Sequence, residues 1–124
     1  MSSEDAKTVV AKGVQGIVVS NYGGRSTTPS IEALPAIADA VGGKIPILVD
    51  GSFRRGSDVM KGLALGADAV LLGRPALWGL AAYGAEGVQT MLELLQSELA
   101  RNMAQCGRPN LAAIDRTMVK IHRR

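Results

Sequence analysis

Ile45-Pro46-Ile47-Leu48-Val49-Asp50-Gly51-Ser52-Phe53-Arg54-Arg55-Gly56 carries a strand, a loop and the approach to a helix in consecutive residues. Its first half is a continuous apolar run, the pattern of a strand buried on both faces rather than of one with a wet side. Pro46 has no amide hydrogen to give to a ladder and fits only at the start of such a strand. A loop rich in small residues and carrying two arginines comes after the run. Ser57 and Asp58 then open a helical pattern through Val59, Met60 and Leu63, which Gly66 closes. This is one βα unit.

The same unit recurs on either side. Upstream, Ser3 is placed to cap a helix with Glu4 and Asp5 in its first turn, Ala6, Val9 and Val10 on its apolar face, and Gly13 as its stop. Gly16 to Ser20 forms the next apolar run. A Gly-rich loop from Asn21 to Ser30 leads to a helix carrying Ile31, Leu34, Ile37, Ala38 and Val41, with Pro35 expected to delay or kink its start. Downstream, Ala69 to Leu72 reads as a third strand, and Gly73-Arg74-Pro75 leaves it. Val88, Met91, Leu92, Leu95, Leu99 and Met103 then make one helical stripe ended by Gly107, and Asn110 caps a last amphipathic segment through Leu111, Ile114 and Met118. Alternating strands and helices predict an α/β fold with a parallel sheet. Right-handed crossovers put the three loops that leave the strands, Ser20–Arg25, Asp50–Arg55 and Gly73–Arg74, at one edge.

Composition narrows the function classes. The 124 residues suffice for one domain, and aromatics are only 3%, too few for the stacking platforms that hold single-stranded nucleic acid. The formal charge of +3 is spread over isolated arginines, which at loop positions read as anchors for small anions rather than as a nucleic-acid or membrane tail. There is no apolar run of membrane-spanning length, no signal-peptide pattern, and one cysteine, so the expectation is a cytoplasmic protein without a disulfide. No His/Cys/Asp cluster has metal-ligand spacing, and no metal site is expected. Two Gly/Arg loops on successive parallel strands form a phosphate cradle: small residues admit backbone N–H groups, and guanidinium supplies charge and forked donors.

Ser20-Asn21-Tyr22-Gly23-Gly24-Arg25, the Asp50–Gly56 loop, Leu63-Ala64-Leu65-Gly66-Ala67 and Gly73-Arg74-Pro75 together resemble the FMN-dependent α-hydroxy-acid oxidase/dehydrogenase family, from about Ser3 to about Ile114. The Asp-Gly and Gly-Arg-Pro parts are shared with other phosphate-binding barrels, such as IMP dehydrogenase and type 2 isopentenyl-diphosphate isomerase. The Ser20–Arg25 loop and the helical tail narrow the resemblance to this family. It implies that residues 1–124 are the C-terminal part of one domain: the last three βα units of a TIM (β/α)8 barrel plus C-terminal helices, with the barrel incomplete. The cofactor implied is FMN and the substrate a small 2-hydroxy acid, oxidised to a 2-oxo acid by passing a hydride equivalent to flavin N5; which acid is left open. Carried over residue by residue, Ser20 contacts the flavin and Arg25 pairs with the substrate carboxylate. Asp50, Gly51, Ser52, Phe53 and Arg54 surround the ribityl-phosphate, and Gly73 and Arg74 complete its cradle.

Two departures bear on activity. Tyr22 occupies the position of the family's proton-accepting histidine. Ionising a phenol of pKa about 10 at pH 7 takes roughly 4 kcal/mol, whereas imidazole accepts a proton near neutrality. The family also carries about three more residues after the Arg25 position, including an Asp, and its first five strands bring a lysine for flavin N1. Three strands cannot close a barrel, so unpaired edges and large apolar faces are expected to be exposed unless a homo-oligomer or a complementary chain covers them, and Met1 is expected to be an internal methionine of a longer ancestral frame. The alternative function is a non-catalytic truncated barrel module that binds FMN or another phosphate ligand. Among single residues, Asp50 could be read as a general base, but the resemblance makes it a loop and cofactor ligand; His122 reads as a solvated surface residue, Cys106 as a core or boundary residue, and Trp78 and Tyr83 as packing residues on a short helix.

Overall fold

The N-terminal helix is closed by a reciprocal cap. The Ser2 hydroxyl accepts from the Asp5 amide, and the Asp5 carboxylate accepts from the Ser2 amide at 2.8 Å. The cap therefore sits one residue earlier than Ser3, because only Ser2 has its partner carboxylate three residues on. This is a computed structural model, and it describes residues 2–24 and 27–121.

Elements are arranged in the order α1 (Ser3–Ala11), β1 (Ile17–Val19), α2 (Ser30–Val41), β2 (Ile47–Val49), α3 (Gly56–Ala64), β3 (Ala69–Val70) and α4 (Arg74–Gln105), with two 3-10 turns at Leu111–Ala113 and Arg116–Met118. The strands form one parallel sheet in the order β1-β2-β3. Val18 stands beside Leu48, and Leu48 beside Ala69. Asp68 pins the start of β2: its amide donates to the Ile47 carbonyl and its carboxylate accepts from the Ile47 amide, each at 2.8 Å. All strand C-termini consequently lie at one edge, as the alternating pattern predicts.

The core lies on one side of the sheet. Ile17, Val19, Ile47 and Val49 are buried with Ala6 of α1 and Leu34, Ile37 and Val41 of α2. Burying a side chain of this size contributes about 1.5–3 kcal/mol, so these residues hold the two helices to the sheet. Pro35 is accommodated inside α2, which starts directly after Pro29 without delay. The other face is not covered: Val18 is 43% exposed and Leu71 40% exposed. The apolar runs read as strands buried on both faces, but the described residues supply helices to only one, and the other is the open apolar face expected of an incomplete barrel. Parallel sheets are ordinarily covered on both.

α4 is two helical arms, 74–82 and 85–105, broken at Tyr83 and at Gly84, whose φ of 62° belongs to the left-handed region. The arms fold back on each other so closely that a methyl group at Gly79 would stand 2.5 Å from the Gly87 carbonyl oxygen. In the second arm only Leu95 of the predicted stripe is buried; Val88, Met91, Leu99 and Met103 are half-buried and Leu92 is exposed. Cys106, Trp78 and Tyr83 are also exposed, contrary to their reading as packing or boundary residues. No described element covers that side of α4. Asn110 caps as expected, accepting from the Ala113 amide at 3.0 Å, but it opens a pair of 3-10 turns rather than one helix. Arg116 ties them to α2 through the Pro35 carbonyl at 3.2 Å and the Asp39 carboxylate at 2.8 Å.

Candidate functional site

The loop after β2 is built on strained and small residues. Gly51 has φ 106°, a conformation natural to glycine, and Ser52 has φ 64°, where a side chain crowds the following carbonyl. The residue before them is held from beneath. The Asp50 amide donates to the Val19 carbonyl at 3.1 Å, and the Ser30 hydroxyl donates to the Asp50 carbonyl. Phe53 turns its ring into the core, with its edge 2.8 Å from where a methyl on Gly62 would stand. The ring anchors the loop, which leaves Phe53 its backbone to offer a ligand.

The start of α3 differs from the sequence reading. The helix begins at Gly56 rather than behind a Ser57 cap, and its amides are taken by carboxylates. Asp58 accepts from Arg54 N–H at 3.1 Å and Arg55 N–H at 3.0 Å, and Glu98 of α4 accepts from Gly56 N–H at 2.8 Å. Glu98 also pairs with the Arg55 guanidinium at 2.8 Å. A methyl at Gly56 would meet the Leu99 amide nitrogen and stand 2.5 Å from the Glu98 carbonyl carbon. The helix end therefore docks backbone to backbone on α4.

Past that point the loop residues converge. Asp50, Gly51, Ser52, Phe53, Arg54, Gly73 and Arg74 all line one cleft of about 190 Å³, closed by Gly23, Leu71 and Pro75. Ser20 joins through a 2.8 Å hydrogen bond from its hydroxyl to the Asp50 carboxylate, and the same hydroxyl accepts from the Tyr22 amide at 2.9 Å. The other oxygen of that carboxylate is buried and has no hydrogen-bond partner among the described residues. It is an acceptor in want of a donor, as a sugar-alcohol hydroxyl would be. Gly73 has open space where a side chain would start. An anionic, hydroxylated ligand such as a ribityl phosphate thus fits the residues present: two guanidinium groups for the phosphate, one unmet carboxylate oxygen for a hydroxyl.

Tyr22 is not brought into that cleft. It lies in a neighbouring one with Ser20, Asn21, Thr27, Thr28 and Ser30, with φ 56° and 95% of its surface exposed. Arg25, the expected carboxylate partner, and His122 lie outside the described residues. Asp58 was read only as opening the helix with Ser57, and Glu98 was missed by sequence reasoning. The first is signalled by an acidic residue at the third helical position; the second, 42 residues from its partner in sequence, has no local signal. Among the described residues there is no acidic, cysteine and histidine cluster able to hold a metal, and no helix long and apolar enough to cross a membrane.

The model of one family, described as FMN-dependent dehydrogenase, matches residues 1–121. The chain belongs to that family. It is 47% identical over 123 residues to 2-hydroxyacid oxidase 1 of Mus musculus, covering 97% of this chain and 33% of the relative. Against (S)-mandelate dehydrogenase of Pseudomonas putida the identity is 47% over 116 residues, covering 92% and 29% respectively. Among solved structures, mandelate oxidase with benzoyl-formic acid superposes with a TM-score of 0.90 at 48% identity, over 94% of this chain and 36% of that one. A putative lactate oxidase from Pediococcus acidilactici gives 0.88 at 45% identity, over 93% and 33%. The chain therefore spans about a third of the length of the relatives it matches. Its sheet and helices are a partial TIM barrel, and the family's cofactor is FMN.

Proposed function

We propose that this chain supplies the FMN-phosphate cradle and the substrate-carboxylate arginine of a barrel that oxidises a 2-hydroxy acid to a 2-oxo acid. The observation that carries the reading is the convergence of Asp50, Gly51, Ser52, Phe53, Arg54, Gly73 and Arg74 on one cleft. When bound, FMN supplies the two-electron acceptor for the substrate's α-carbon hydride. Arg54 and Arg74 then hold the phosphate, Asp50 takes a ribityl hydroxyl on its unmet oxygen, and Gly51 and Gly73 let the ligand approach the backbone. Ser20, tied to Asp50, would hold the loop edge that contacts the flavin. Arg25 receives the substrate carboxylate as a planar, forked donor.

The test is quenching of FMN fluorescence by the 124-residue chain, with Arg74→Ala beside it. Saturable binding weakened at least about tenfold by the substitution supports the cradle, as expected for one lost charge-assisted contact. Binding that ignores the substitution, or no binding by a folded chain, refutes it. Tyr22 favours a second reading, a non-catalytic FMN-binding module, since a phenol accepts a proton less readily than imidazole near neutral pH. FMN bound by the chain but reduced by none of lactate, glycolate or mandelate supports that module; reduction by any of them supports the oxidoreductase.

A further inference from the structure

We infer that Trp78 is the positioning residue for Arg54, holding its guanidinium on the phosphate side of the loop; this rests on the FMN-cradle reading above. Arg54 stands between two openings. On one side is the cleft it shares with Gly73 and Arg74. On the other is a larger groove of about 550 Å³, whose lining it shares with Tyr83, Glu86, Thr90 and Glu98. Glu86 and Glu98 are the carboxylates of that groove, and among the described residues neither forms an ion pair with Arg54. Glu98 is already engaged by Arg55 and by the Gly56 amide, while the Arg54 guanidinium lies over the indole of Trp78, 5.5 Å from the ring centroid. Packing against an aromatic face keeps the charge and leaves the in-plane N–H donors free, whereas a bidentate ion pair with a carboxylate would offset the charge and occupy two of the five donors. This also gives a reason for a tryptophan left 52% exposed at the start of α4, directly behind the Gly73-Arg74 turn.

Trp78 is the only tryptophan of the chain, so its emission reports on the contact without any ligand. Arg54→Ala is expected to change the Trp78 emission of the ligand-free protein; an unchanged spectrum overturns the pairing. In FMN titrations, Trp78→Leu is expected to weaken binding about 2- to 5-fold, the range of an exposed cation–π contact, and Trp78→Phe to stay within about twofold of the parent. The deciding comparison is the double variant. In an Arg54→Ala background Trp78→Leu has no further effect if it acts through Arg54, whereas an equal loss in both backgrounds shows a merely structural role and overturns the inference. A parent chain that fails to bind FMN overturns this inference and the cradle together. Parent binding with an indifferent Trp78→Leu overturns this one alone.

Discussion

Replacing Gly56 with alanine adds one methyl group at the junction of α3 and α4, and its effect can be worked from the contacts. The new carbon would press on the Leu99 amide and lie 2.5 Å from the Glu98 carbonyl carbon and 2.6 Å from the Glu98 Cβ. Two of these three atoms are backbone, so neither rotates away, and the helices must separate. Overpacking of this kind costs about 1–3 kcal/mol. Separation also stretches the Gly56 N–H bond to the Glu98 carboxylate, 2.8 Å as it stands, and a hydrogen bond to a charged group contributes about 1.5–3 kcal/mol. The Arg55–Glu98 pair adds little, because the Arg55 side chain is 71% exposed. Alanine's better helix propensity returns at most about 1 kcal/mol. The net expectation is a loss near 3 kcal/mol, read in urea unfolding as a midpoint lowered by at least about 1 M with unchanged slope. If α4 were only loosely docked, propensity alone would act and the midpoint would rise. A midpoint that is unchanged or raised therefore refutes the backbone-to-backbone docking of α3 on α4.

Ser52→Gly relieves a side chain held at φ 64° and should stabilise by up to about 1 kcal/mol in the same assay, with the loop shape kept. Gly87→Ala should destabilise by about 2–3 kcal/mol, since its methyl would meet the Gly79 carbonyl across the helical hairpin; circular dichroism melts would show a lower midpoint. Acid should loosen the two ends first. Asp5 is held below its ordinary pKa by the Ser2 amide and hydroxyl, and Asp115 by the Thr117 hydroxyl and amide. Each contribution is complete above the unfolded carboxyl range near pH 4 and is lost as pH falls through the lower folded value, so the protection of the Ser2 and Thr117 amides, measured against their intrinsic exchange rates, should fall only below about pH 4.

The βα alternation was legible because apolar runs, Gly stops and Ser/Asp starts are local signals, and the three site loops came with it. The cleft was legible for the same reason: glycine and arginine directly after a strand place themselves. Position within a cap was not, as Ser2 against Ser3 shows, because it depends on which hydroxyl finds a carboxylate three residues on. Glu98 was invisible because its partners, Arg55 and Gly56, lie a whole βα unit away in the chain. The open apolar face that Val18 and Leu71 present was legible from the strand count, but the exposure of Trp78 and Tyr83 was not, because apolar character expresses a preference for burial, not the presence of a neighbour to supply it.

Asp58 and Glu98 take the Arg54, Arg55 and Gly56 amides, and this bears on the ionic environment in which a ligand is held. An anion seated on the end of α3 would meet fixed dipoles, whereas here attraction falls to the exposed side chains of Arg54 and Arg74. At physiological ionic strength the screening length is about 8 Å, short enough for dissolved salt to compete with such charges before a ligand arrives. The capture rate of a phosphate at this edge should fall as electrolyte rises, while the grip of half-buried Asp50 and the glycine backbone, once engaged, should hardly change.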